Sequence, residues 1–176
     1  VIEQRRPDYP VHCFCPLQLS RRVDLFVDNF PGKVGFAVKA NGEALVLDHL
    51  VKSRLHFFDA ASIAEIALVR QLDADARIFY DNPIKSEDEI ELAYFQYGIR
   101  SFALDDEIEL AKIQSIIGND PSVQLTVRFK ISGAYAAQDL NTKFGADVEE
   151  ATHLLRQVKK AGYKPALTFH PGSQCY

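Results

Sequence analysis

Lys39 closes the uncharged run Gly35-Phe36-Ala37-Val38, and an amine in that position can do chemistry. Small and apolar residues in succession suit a short strand covered on both faces. Lysine is seldom buried without a partner. Partly desolvated lysines serve as nucleophiles that form Schiff bases with carbonyl compounds. The plain alternative is a strand end whose ammonium reaches water, so the rest of the chain must separate the two. Five more polar residues end short apolar runs further on: Asp59, Asn82, Asp105, Arg128 and His170. Asp105 reads as the N-cap of the helix after it, and Asp59 can be read the same way. A lysine and an arginine cannot cap a helix N-terminus. The series therefore resembles the carboxyl face of a barrel enzyme, where strand ends carry the chemistry.

The elements that must position these residues alternate. Residues 10–15 read as a short strand, and residues 17–30 as a helix with Leu19, Val23, Phe26 and Phe30 three or four apart, stopped by Pro31-Gly32. This lead-in strand and helix fill residues 1–33. From residue 34 a unit repeats, with strands expected at 34–38, 55–58, 76–80, 101–104, 123–129 and 165–169. Helices are expected at 43–52, 62–72, 86–97, 106–117 and 147–161, the second and third opened by the capping-box pairs Ser62/Glu65 and Ser86/Glu89. Strands alternating with helices through short connections imply parallel strands and crossover helices. The competing architectures are a doubly wound open sheet and a (β/α)8 barrel. No Gly-x-Gly-x-x-Gly and no phosphate loop follows any strand. The expected fold is α/β, an incomplete (β/α)8 TIM barrel with about six of its eight strands. Such a piece leaves two open sheet edges, to be covered by further polypeptide or by a second copy.

With 47% hydrophobic and 25% charged residues, 176 residues suffice for a real core. The net charge of −4, with no basic run interleaved with aromatics, argues against nucleic acid and anionic membrane as partners. No apolar stretch approaches the roughly 18 residues of a membrane span, and residues 1–6 lack a signal core. Cys13, Cys15 and Cys175 make no disulfide framework; Cys13-Phe14-Cys15 reads as alternating strand residues rather than half a metal site. Reduced thiols fit a cytoplasmic protein. The absence of methionine suggests a processed or trimmed piece of a longer chain.

Several stretches, taken in order, carry a resemblance. They are Ala37-Val38-Lys39-Ala40-Asn41, Phe58-Asp59-Ala60-Ala61-Ser62 with Glu65, and Asn82-Pro83-Ile84-Lys85. Val127-Arg128, Lys143-Phe144-Gly145 and Phe169-His170-Pro171-Gly172-Ser173 complete the set. Together they resemble the amino-terminal barrel half of the pyridoxal-phosphate-dependent ornithine, lysine and diaminopimelate decarboxylases, which share the alanine-racemase barrel. The resemblance implies that Lys39 carries pyridoxal phosphate and that His170 stacks on its ring. It further implies that Ser173 lies beside the phosphate, that Asp59, Glu65 and Arg128 line the Schiff-base side, and that Lys143 sits near the subunit boundary of a homodimer.

Asn82-Pro83-Ile84-Lys85 and the loop at 132–140 resemble the ornithine/lysine branch. The implied activity is decarboxylation of ornithine or lysine, a small amino-acid substrate, to a diamine in polyamine biosynthesis. Diaminopimelate or carboxynorspermidine decarboxylation, racemisation on the same barrel, and a non-catalytic regulatory or inactive fragment stand as alternatives. The family's glycine-rich phosphate loop, the acid that pairs with the pyridine nitrogen and its carboxy-terminal β-domain lie beyond the His-Pro-Gly-Ser segment. This chain alone is therefore expected to catalyse poorly.

Overall fold

The computed structural model describes residues 2–131, 136–138 and 143–175. A short helix α1 (Ile2–Arg5) and a longer α2 (Pro16–Asn29) lead in. Pro10 to Cys15, expected as a strand, pairs with nothing among the described residues. Pro10 and Pro16 bracket this segment and each removes a ladder donor, which keeps it out of the sheet. Cys13 and Cys15 within it are exposed free thiols.

The main body is a succession of strand and helix. It runs β1 (Gly35–Ala37), α3 (Ala44–Val51), β2 (Phe57–Ala60), α4 (Ile63–Leu72), β3 (Arg77–Tyr80) and α5 (Glu87–Glu91). A single π-helical turn, Leu92–Gln96, extends α5. Then come β4 (Ser101–Leu104), α6 (Glu107–Ile117), β5 (Gln124–Arg128), β6 (Ala136–Gln138), α7 (Val148–Lys160), β7 (Lys164–Thr168) and β8 (Ser173–Cys175). Six strands form one sheet in the order β1-β2-β3-β4-β5-β7, every neighbouring pair parallel. A doubly wound sheet reverses its strand order at a switch point, whereas a barrel runs sequentially. The strictly sequential order makes this an incomplete barrel, open between β1 and β7. Among the described residues no helix is long and apolar enough to cross a membrane.

Alternation along each strand divides the sheet into two faces. Val38, Phe58, Ala60, Tyr80, Phe102, Leu104, Leu125 and Val127 are buried on the helix side, packed with Leu47, Leu50, Ile66, Val69, Ile90, Ile113, Leu154 and Val158. The other face looks into the barrel, where Phe57 stacks on Phe79 with ring centroids 6.1 Å apart. Leu167 and Phe169 at the open β7 edge remain exposed.

Helix starts follow the local chemistry with two differences. Ser62 accepts from Glu65 N, but the Glu65 carboxylate bonds Ala61 N at 2.7 Å instead of closing the box on Ser62. Asp106, not Asp105, caps α6 by accepting from Ile108 N at 2.6 Å. Asp105 instead accepts from Gly145 N at 2.7 Å. Gly145 has φ +103°, and a Cβ there would lie 3.1 Å from the Phe129 carbonyl carbon, so the turn requires glycine. The Ser86/Glu89 box forms as expected, and Asp147/Glu150 adds a third at α7. Replacing Asp106→Ala is expected to lower unfolding stability by about 1 kcal/mol through loss of the cap. Asp105→Ala should instead speed amide exchange at Gly145; urea unfolding with hydrogen exchange measures both.

Candidate active site

The carboxyl ends of the six parallel strands converge on one rim. β1 stops at Ala37, and Val38–Ala40 tightens into a 3-10 turn that lifts Lys39 onto that rim. Val38 is buried under the turn, while the Lys39 side chain stays half exposed. Lys39 Nζ lies 3.8 Å from Asp59 Oδ2. Asp59 is in register with Ala37 on one side and Phe79 on the other, on the inward face of β2. Its second oxygen, Oδ1, is buried and has no hydrogen-bond partner among the described residues. A buried carboxylate oxygen left unpaired is costly, and it marks where a donor belongs.

Charges from four elements act on this carboxylate. Burial raises the Asp59 pKa above the usual aspartate value and nearby Lys39 opposes it; Glu65 raises it further, while Arg128 and His170 lower it. The Glu65 carboxylate is turned toward this strand end by its bond to Ala61 N. His170, just beyond β7, has its pKa lowered by burial and then by Arg128 and Lys39, against the pull of Asp59. It is therefore neutral at physiological pH. Its Nδ1 accepts from Gly172 N at 3.0 Å, which leaves the ring proton on Nε2.

Asp81 is the member that strand-end reading passed over in favour of Asn82. Its backbone N–H donates to Ala60 O at 2.9 Å, so the β2–β3 ladder runs on through it. Two residues after inward-facing Phe79, it must face inward as well, and the alternation alone points to this. Asn82 turns outward and its Nδ2 donates to Ala61 O at 3.3 Å. Asp59 and Asp81 both line a cavity of about 390 Å³ inside the strands, with Ala37, Phe79, Thr126 and Thr168. Burial and then Asp59 push the Asp81 carboxyl up to about 6, against Lys39, Arg128 and Lys85.

The remaining expected residues lie elsewhere. Ser173 begins β8, whose antiparallel partner β6 lies within the loop that precedes α7. Most of the loop at 132–140 falls outside the described residues. Lys143 is exposed and lies over the Phe144 ring, 5.1 Å from its centroid, with Arg128 at 5.5 Å from the same ring. It faces a separate cavity between α6 and α7, not the barrel interior.

Comparison with known proteins gives the family of the chain that carries this rim. The sequence profile described as pyridoxal-dependent decarboxylase, pyridoxal binding domain, matches residues 17–176. The chain belongs to this decarboxylase family. Its relatives include a lysine/ornithine decarboxylase of Selenomonas ruminantium, 36% identical over 143 residues, covering 80% of this chain and 35% of the relative. Antizyme inhibitor 2 of Mus musculus is 31% identical over 142 residues, covering 80% of this chain and 30% of that protein. The solved structure of an SrLDC mutant in complex with PLP superposes with a TM-score of 0.85 and 31% identity, covering 98% of this chain and 44% of its own. The decarboxylase-family chain thus spans about a third of the length of these curated relatives.

Pyridoxal phosphate is the cofactor of this family, and the rim residues fit it. An amine beside a carboxylate, a carboxylate oxygen lacking a donor, a neutral flat imidazole and a guanidinium surround one mouth. That set suits a planar, anionic carbonyl compound.

The raised Asp81 carboxyl has a consequence for stability. Because its folded pKa lies above the unfolded value, the folded chain holds more protons between about pH 4 and 6, and stability falls as pH rises through that window. Asp81→Asn is expected to raise the urea midpoint at pH 8 and to leave it nearly unchanged at pH 4. A gain of equal size at both pH values would contradict this account.

Proposed function

We propose that the protein containing this chain decarboxylates a basic amino acid, ornithine or lysine, to the corresponding diamine in a pyridoxal-phosphate-dependent reaction. Residues 34–176 form the first part of the cofactor-binding barrel, and residues 1–33 lead into it. The observation that carries the reading is the Lys39–Asp59 pair on the rim of a chain matched by the pyridoxal-binding profile.

Each rim residue has a distinct task in this reading. Lys39 is the covalent attachment point. Asp59 holds the Lys39 amine in place and offers its unpaired Oδ1 to a donor on the bound molecule. His170, neutral and fixed by Gly172 N, presents the flat face of its ring. Arg128 supplies positive charge, and Glu65 fixes the entry to α4 through Ala61 N. Ser173, next to Gly172, is assigned to the phosphate. When bound, the cofactor supplies the electron sink for the pair left behind by a departing carboxylate. The protein's share is binding, orientation and electrostatics. The reading extends to a homodimer with exposed Lys143 near its boundary, and to a cytoplasmic setting supported by the free thiols Cys13 and Cys15.

A second reading is a non-catalytic decarboxylase-like regulator, favoured by the 31% identity to antizyme inhibitor 2. Two measurements separate the readings. Incubation with pyridoxal phosphate followed by borohydride is expected to leave a reduced adduct on Lys39 by peptide mass mapping, lost in Lys39→Ala. The whole protein should then release carbon dioxide from ornithine or lysine. An adduct without release from either favours the regulator, and no adduct removes the cofactor assignment from this chain.

A further inference from the structure

Among the described residues Lys85 is the most deeply buried charge, with 0% of its side chain exposed, and the rim tasks above do not use it. Its ammonium lies 2.9 Å from Glu109 Oε1, whose side chain is 5% exposed. It also donates to Ala103 O at 2.6 Å, Asn82 O at 2.9 Å and Pro83 O at 3.5 Å. Those carbonyls belong to the end of β4 and to the turn after β3. The backbone of Lys85 is gripped in return: its N–H donates to Glu109 Oε1 at 3.2 Å, and its carbonyl accepts from Lys112 Nζ at 2.6 Å. Lys112 also pairs with Glu109, so the carboxylate is saturated from three directions.

The tie runs onward to the rim. Asn82, whose carbonyl Lys85 holds, donates from its side chain to Ala61 O, and Ala61 N is held by Glu65. A continuous polar belt therefore joins α6, the ends of β4 and β3, and the residue two past Asp59. Asp81 sits inside this belt, with the tied residue Asn82 directly after it. An apolar side chain would fill the Lys85 site with less desolvation, since a buried ion pair seldom adds net stability over hydrophobic packing. Its energetic redundancy, with its location under the turn, points to placement of that turn as its task.

We propose that Lys85, neutralised by Glu109, is a positioning residue that fixes the Asp81-Asn82-Pro83 turn and so holds Asp81 beside Asp59 at the cofactor mouth. The inference rests on the cofactor reading given above. The test combines Lys85→Met with Glu109→Leu, which removes both buried charges of the pair and leaves the partly exposed Lys112 ammonium bonded to the backbone carbonyl of position 85. The melting temperature is expected to stay within about 4 °C of the parent. Pyridoxal phosphate capture, followed by the absorbance of the lysine-bound cofactor, should weaken about tenfold through misplacement of the mouth.

Without cofactor, the Asp81 carboxyl carbon resonance reports the turn directly. Its midpoint of about 6 should fall toward the ordinary range as the turn opens to water. Loss of the Lys85 charge by itself would move it upward, since Lys85 now lowers it. Unchanged capture, or a midpoint that stays or rises, overturns the proposal. If the parent itself captures no cofactor, the cofactor reading fails and the midpoint alone judges Lys85. Should the double variant not fold, Asn82→Ala, which cuts the side-chain links to Ala61 O and Ile84 N, is judged by the same two criteria.

Discussion

Parallel strands joined by crossover helices deliver all their carboxyl ends to one side, and this constraint organises everything else in the molecule. It turns a linear series of strand-end residues into a ring. Lys39, Asp59, Arg128 and His170 are separated by 20 to 131 positions in the chain, yet they share one electrostatic neighbourhood. The period-2 alternation of each strand then decides which residue of an end faces the interior and which faces the helices. Where a strand continues one residue further than its apolar run suggests, as at Asp81, the inward residue changes identity.

That ring is held at a cost to the fold. Asp59 and Asp81 are both pushed toward their neutral forms by burial, and neither is fully compensated by Lys39 or Arg128. An interior chosen only for stability would exclude the second carboxylate. Functional sites commonly store such unfavourable electrostatics, which the surrounding packing offsets. Here the offset comes from the opposite face of the same strands, where Phe58, Tyr80, Phe102 and Leu104 are buried in one core with residues of the surrounding helices.

Much of this was legible in the sequence because the signals were local. Helix starts at Ser86 and Asp147 are written as side chain and acceptor three residues apart, and the strand runs are short, apolar and bounded by turns. The strand-helix alternation announced parallel strands, and the run of polar strand ends without a glycine-rich phosphate motif pointed to the sequential order of a barrel. What escaped was decided by partners distant in sequence. Asp105 reads as a cap because it precedes a helix, but Gly145, forty residues on, takes its carboxylate and leaves the cap to Asp106. Lys85 stands in the sequence only as the last residue of Asn82-Pro83-Ile84-Lys85; its burial depends on Glu109, which arrives from α6. The run from Pro10 to Cys15 has strand-like residues, but prolines bracket it and it finds no sheet edge among the described residues.

The open side of the barrel bears on how complete the site is. β1 and β7 are the free edges of the sheet, and they carry Lys39 and His170 just beyond their ends. The two residues assigned to hold the cofactor covalently and by stacking therefore flank the gap instead of facing each other across paired strands. By contrast, Asp59 and Asp81 sit on strands paired on both sides, and the polar belt through Lys85 braces their ends. Rigid support is concentrated where the acidic groups must be held against their own repulsion. Lys39 and His170 stand at the edges, where a bound planar ligand would itself become the contact that joins them.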